Sequence, residues 1–284
     1  MNKNIHQAMV PEVLDGWAVL HHVFSVDWPR WNRLSIGEQT DMTEAAAAFF
    51  KETAEVKEGE SALFSVLGHK GDLLFLNFRK TLDELNAVEL RFRRLALYSY
   101  LVETTSYLSF LELGLYEITI KLHDNLIGEG LVPESEKWKK RWADEMASQR
   151  ERMMGRLYME IPEHRYLCFY PMSKRRGEDK NWYGLPIEER QMMMREHGMV
   201  GRKFAGRVQQ IITGSIGLDN WEWGVYLFAP DPHVFKELIY EMRFDEATVW
   251  YGEFGPFYNG LQINSTELAG VLNGKCDRTP ETGA

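Results

Sequence analysis

The sequence predicts an α+β fold in which one chain carries two βαββαβ modules whose sheets close on each other into a barrel. Two observations lead there. Strand-like and helix-like patterns follow the same order in both halves of the 284-residue chain, and each half supplies helices for only one face of its sheet. The uncovered apolar faces then need each other, which leaves the helix faces to make subunit contacts. The repeat is topological and of the ferredoxin-like kind, with no residue-level repeat between the halves. The pattern assigns residues 1–133 to a first module, 134–156 to a helical connecting insert, 157–263 to a second module and 264–284 to a peripheral tail.

The first half opens with GWAVLHHVFSVD, an extended run, and continues into helix-favouring sequence from about Trp28 to Lys57 that contains the block AAAAFF. ALFSVLG and DLLFLNF read as strands. TLDELNAVELRFRRLAL begins with Thr81 and Glu84 in capping-box spacing, and Leu82, Leu85, Val88 and Leu95 recur at helical intervals. YLVETTSYLSFLEL closes the half as a strand, and the insert from about Glu134 to Arg156 is charged and helix-favouring. RYLCFYPM then reads as a strand and LPIEERQMMMREHG as a helix. Pro186 starts that helix, Glu188 and Glu189 occupy its first turn, and Arg195 and His197 lie at its end before Gly198. RVQQIITGSI and EWGVYLFA pair around GLDN, DPHVFKELIYEMRF forms a helix, and ATVWYGEF is the last strand.

Composition narrows the function. Hydrophobic residues make up 44% and charged residues 26%, enough for a core and against global disorder. A formal net charge of -9 lacks the basic excess that a phosphate backbone demands, so no nucleic acid is expected as partner. MNKNIHQAMVPEVL has no long apolar region, and no segment approaches the ~18 uninterrupted apolar residues of a membrane span. The expectation is a soluble, cytoplasmic protein. Cys168 and Cys276 give neither a disulfide framework nor a zinc spacing, and Cys168 reads as a small face or core residue. No phosphate loop, dinucleotide fingerprint or GxSxG elbow is present.

Individual residues leave alternatives open. His197, at a helix end before glycine, suits either a C-terminal cap or an iron or zinc ligand whose ring is held by a second acceptor. His21 and His22 face opposite sides of a strand. Tyr170 suits a half-buried strand aromatic or a redox phenol, with Lys174 near enough in sequence to favour loss of its proton. The run Lys174, Arg175 and Arg176 otherwise reads as a solvated turn.

Longer stretches carry a more specific signal. RYLCFYPMSKRR, NWYGLPIEER, REHGMVGRKFAGRVQQIITGSIG, EWGVYLF and YEMRFDEATVWYGEFGPF, in that order, closely resemble the coproheme decarboxylases, of Gram-positive type, in the chlorite dismutase-like superfamily. The resemblance is dense over about Arg156 to Gly260 and mostly topological before that. It implies paired ferredoxin-like modules, a homopentamer, and an enzyme of haem biosynthesis. Such an enzyme uses hydrogen peroxide to remove two propionates of iron coproporphyrin III (coproheme) as carbon dioxide, leaving the vinyl groups of haem b. Coproheme would be substrate and redox centre together.

Carried over motif by motif, the resemblance makes His197 the proximal iron ligand and Tyr170 the radical that attacks the propionate β-carbon. Gln210 matches the distal-pocket glutamine of this type; a chlorite dismutase would hold an arginine there, whose cationic fork suits an oxyanion. Arg156, Lys174 and Arg243 match positions that hold propionates or support the tyrosine, and Met172 and Trp221 match pocket-lining positions. Thr248 stands where the family often has a serine near a propionate, and LELGLYE replaces an ELSNY-like segment, which makes Tyr116 the matching propionate contact. A transient contact with coproporphyrin ferrochelatase follows from the same resemblance. The competing readings are a haem-binding or haem-transfer module without turnover, and a chlorite dismutase or peroxidase-like haem enzyme.

Overall fold

Residues 9–275 are described in the structure, a computed structural model. The first half runs β1 (Val13–Val26), α1 (Trp28–Trp31), α2 (Ile36–Ala54), β2 (Glu60–Val66), β3 (Leu73–Arg79), α3 (Leu82–Phe92) and β4 (Leu101–Gly114). Two helices follow, α4 (Tyr116–Gly128) and α5 (Glu136–Leu157). The second half runs β5 (Tyr166–Lys174), α6 (Ile187–Arg202), β6 (Gln209–Gly214), β7 (Trp223–Ala229), α7 (His233–Met242), α8 (Glu246–Tyr251), β8 (Gly252–Phe254), β9 (Tyr258–Ile263) and α9 (Leu268–Leu272).

Antiparallel pairing joins β7, β6, β4, β1, β3, β2, β9 and β5 in that order, and β5 pairs back onto β7, so the ring closes; β8 extends β5. The first half contributes β4-β1-β3-β2 and the second β6-β7-β5-β9, the same split order twice. The expected barrel of two ferredoxin-like modules is therefore present, as one hydrogen-bonded ring.

Period-two alternation sorts each strand between the inside of the ring and the helix layer outside it. Val19, Phe64, Leu76, Phe78, Leu167, Phe169, Tyr226 and Phe228 fill the interior. Outside, Phe24, Leu63, Leu73 and Phe75 pack with residues of α2, α3 and α9, while Cys168, Tyr170, Val225 and Leu227 pack against α7. With both faces covered, β3 is buried at every position. His21 and His22 do split between the faces: His21 is fully buried with Nδ1 2.8 Å from Tyr226 Oη, and His22 meets Glu89 outside. The capping box at Thr81 and Glu84 forms, and Ser35 with Glu38 makes another.

Three expectations are corrected. ATVWYGEF is not the last strand: its first part forms α8, because Asp245 caps it by accepting from Thr248 N at 3.0 Å. Of the β-branched and aromatic residues that suggested a strand, Thr248 and Tyr251 are buried on the helix, while Val249 and Trp250 are exposed. The strand that completes the second half is β9, bonded to both β2 and β5. The helix carrying His197 does not end at Gly198 but continues to Arg202, since packing against α7 and α8 outweighs the ~1 kcal/mol cost of an internal glycine. Residues 264–275 are not peripheral, for Leu268 and Leu272 are buried beside Trp31, whose Nε1 donates to Leu272 O at 3.1 Å. The remainder of that tail, with Cys276, lies outside the described residues.

The insert is helical as expected. Its helix α5 packs against β1 and β4, with Leu157 and Ile161 buried in the interior cluster and Met146 and Met153 against it, so α5 closes an end of the barrel. No helix among the described residues is long and apolar enough to cross a membrane.

Candidate functional site

The outer face of β5, β7 and β6 carries two of the expected residues. Tyr170 lies opposite Val225, and Val225 opposite Ile212; one step along, Cys168 lies opposite Leu227, and Leu227 opposite Gln210. Tyr170 and Gln210 therefore look out from the same side of the sheet. Tyr170 is 3% exposed, with the Phe257 and Phe254 rings tilted against it at centre distances of 4.7 and 5.6 Å. Burial pushes its phenol well above the ordinary tyrosine range; Cys168 adds to that shift and Arg243 opposes it. The cation acting on Tyr170 is thus Arg243, not Lys174 as the sequence suggested, and its effect is too small to remove the proton. Arg243 sits at the end of α7 with its guanidinium 3.9 Å from the Phe254 ring centre. Cys168 is buried with its thiol pushed up to about 12, an inert face residue. Met172 packs on the same cluster.

His197 projects from α6 with its side chain 21% exposed, and Nδ1 lies 3.1 Å from Asp245 Oδ2. Asp245 also accepts from Thr248 N and, at 2.8 Å, from Thr248 Oγ1. Burial raises its pKa, but the hydrogen bonds from His197 and Thr248 outweigh it, and the carboxyl is held below its usual range. This is the acceptor that a ligating imidazole needs: with Nδ1–H donated to Asp245, Nε2 is left with its lone pair. Thr248 gives its hydroxyl proton to Asp245, so toward any other group it offers lone pairs. Val200 of α6 and the nearby Phe204 pack into the cluster that contains Tyr170, which joins the two parts of the site.

Between them lies Lys174, 5% exposed, with Nζ 3.4 Å from Ala247 O and 4.5 Å from the centre of the Trp182 ring. Burial lowers it to about 8, against the pull of Asp245 and Glu222. Glu222 Oε2 fixes its backbone N at 2.7 Å. Arg175 and Arg176 are solvated partners of Glu253 and Glu222, as the charge run predicted. Tyr116 begins α4 and packs with Trp182, Met193 and Ala247, so the first half does reach this region.

Two expected residues stand apart. Arg156 is exposed on the last turn of α5, its Nη1 3.9 Å from Met153 Sδ, on the helix that packs against β1 and β4. Trp221 packs against the interior cluster, where a side chain at Gly255 would meet its ring at 3.0 Å. Sequence reasoning missed Asp245, Glu222, Trp182 and Arg190. Asp245 had a readable signal, an aspartate immediately before EATVWY, which the strand reading concealed.

A closed α+β barrel whose His197 imidazole is oriented by the largely buried Asp245 carboxylate defines a class in which a single side chain would hold a metal. Among the described residues no group of three or more His, Cys, Asp or Glu forms a multi-ligand centre. The family model described as Chlorite dismutase matches residues 39–263, and the chain belongs to that family. It is 42% identical over 252 residues to the coproheme decarboxylase of Staphylococcus carnosus, covering 88% of this chain and 92% of that protein. It is 41% identical over 283 residues to a protein of Natronomonas pharaonis named for haem binding, covering 98% of this chain but spanning only 44% of that longer protein. Among solved structures, a haem-binding protein from Thermus thermophilus matches with TM-score 0.77 and 40% identity, over 93% of this chain and 99% of that one. A chlorite dismutase variant of Candidatus Nitrospira defluvii matches with TM-score 0.67 at 17% identity, over 92% and 96%, a likeness of fold alone.

Proposed function

We propose that the protein is a hydrogen peroxide-dependent coproheme decarboxylase that converts two propionates of iron coproporphyrin III to vinyl groups, giving haem b. The observation that carries this reading is a buried phenol, Tyr170, that keeps its proton and shares a sheet face with Gln210, a neutral residue, rather than with an arginine. Bound coproheme supplies the iron at which peroxide is reduced. His197 would hold that iron through Nε2, with Asp245 fixing the ring.

Tyr170 is suited to hydrogen-atom transfer because its proton can leave only together with an electron. As a radical it would take hydrogen from the propionate β-carbon and return to phenol. Loss of carbon dioxide then releases the second electron, which would return to the iron of the bound substrate that peroxide has oxidised, and closes the double bond. Each propionate carboxylate, one peroxide and one proton give a vinyl group, carbon dioxide and two waters. Lys174, which burial lowers to about 8, would meet the carboxylate and supply that proton from Nζ. Gln210 would orient peroxide without the cationic fork that favours chlorite. Arg243 and Tyr116 would bear on the propionates and Met172 on the pocket wall; Thr248 would act only through Asp245, and Arg156 and Trp221, which stand apart, carry no part of this reading. The same reading carries a homopentamer, a cytoplasmic location and a transient contact with ferrochelatase.

The experiment mixes pure protein with ferric coproheme, titrates peroxide and follows porphyrin masses. A three-propionate intermediate followed by haem b is expected. Unchanged coproheme, or sustained oxygen release from chlorite in its place, would reject the proposal.

A further inference from the structure

We propose that Arg190 adds a buried cation beside Tyr116, already expected at a propionate, so that the two form a carboxylate-binding corner that anchors a propionate of the porphyrin substrate other than the one presented to Tyr170. The proposal rests on the coproheme reading for the identity of its ligand, and on the following geometry for the site. Arg190 precedes His197 on α6 by seven residues. Such a separation puts two side chains about 10.5 Å apart along a helix and within about 20° of the same face. That is the relation of a metal at the centre of a porphyrin to a carboxylate beyond its rim.

The side chain of Arg190 is 5% exposed, and a guanidinium has five N–H donors to place. One of them, on Nη2, goes to Met9 O at 2.9 Å, whereas Nε is buried without a partner. The nearby cations Arg175 and Arg176 have Glu253 and Glu222; among the described residues Arg190 has no such carboxylate. A buried cation with an unfilled donor is costly unless an anion replaces the lost water.

Tyr116 lies beside it, with its ring centre 5.9 Å from Arg190 Cζ. Burial raises the Tyr116 pKa, against the opposing effect of Arg190 and Trp182, so the phenol keeps its proton and has an O–H to donate. A carboxylate is the complementary ligand, one oxygen for the guanidinium and one for the phenol. Trp182 separates this corner from Lys174, so two anion positions flank one indole, and only the Lys174 position continues along β5 to Tyr170.

The test titrates ferric coproheme and its tetra-amide, in which neutral carboxamides replace all four carboxylates, into the full chain without peroxide. Tryptophan quenching and the ferric absorption band give the two Kd values, and their ratio, amide over acid, is the readout. Arg190→Gln should lower that ratio by about tenfold to a hundredfold, almost wholly through weaker tetra-acid binding. Tyr116→Phe should lower it in the same direction, and the double variant should lose less than the two single losses combined. Equal weakening of both ligands by Arg190→Gln would make Arg190 a structural residue and overturn the proposal, as would an unchanged ratio. If circular dichroism shows that Arg190→Gln does not fold, Arg190→Lys replaces it, with a smaller fall in the ratio expected. An unchanged ratio in both Arg190→Lys and Tyr116→Phe then overturns the corner. Turnover is not involved, so a parent that prefers the tetra-acid yet never decarboxylates it would reject the proposed activity and leave this site standing.

Discussion

At Asp245 one carboxylate, 4% exposed, both caps α8 through Thr248 and orients the His197 ring. Asp245→Ala should therefore cost about 1 kcal/mol of stability through the lost cap and weaken ferric coproheme binding by roughly tenfold to a hundredfold through the freed imidazole. A thermal melt and an optical titration separate the two effects; a lower melting temperature with unaltered affinity would leave Asp245 a cap only. Lys174 supports a pH prediction. Its ammonium predominates below about 8 and its amine above, so a reaction that takes one proton per propionate should slow as pH rises through that value. Lys174→Met should be slower at neutral pH and lack that alkaline limb, and an identical limb in both proteins would assign it to another group. Neither lysine burial nor the Asp245 contact was legible in the sequence, because both arise where α8 folds over α6. The opposed faces of His21 and His22 were legible, since strand alternation alone fixes them.

Elements were readable where local chemistry and tertiary demand agreed. The helix at Thr81 has its capping box and apolar period in the sequence and forms, although it stops at Phe92, short of Leu95, whereas ATVWY was misread because its β-branched residues outweighed a single aspartate cap. β9 escaped notice since YNGLQI is short and weakly apolar; its place comes from partners on both sides, β2 and β5, far away in the chain. The approach of α5 to β1 carries an element-level prediction. A Cβ on Gly16 would stand 1.9 Å from Leu157 O, a backbone atom that cannot rotate away. Gly16→Ala should force the helix off the strand and cost about 1–3 kcal/mol, read from the denaturant midpoint. Gly37→Ala, where nothing lies within 4 Å, is the control and should be close to neutral or stabilising. Equal midpoints for the two variants would mean that α5 does not seat as described.

For the whole molecule, the repeated order of elements and the apolar faces it left uncovered were enough to predict a barrel, while the way the ring closes was not. The seams differ in extent: β5 and β7 share seven register pairs, β4 and β6 only Phe110 with Gly214 and Leu111 with Thr213. Amide exchange should accordingly open the β4–β6 seam before the β5–β7 face that carries Tyr170, and the reverse order would contradict this closure. That face is central to the proposed activity, and Tyr170→Phe tests it most directly. The substitution removes one oxygen and keeps the ring against Phe254 and Phe257, so folding and ferric coproheme affinity should remain near the parental values. With peroxide, mass spectrometry should then find little three-propionate intermediate or haem b and more bleached porphyrin. Both products appearing at the parental rate would show that Tyr170 is not the radical, and the mechanism built on it would fail.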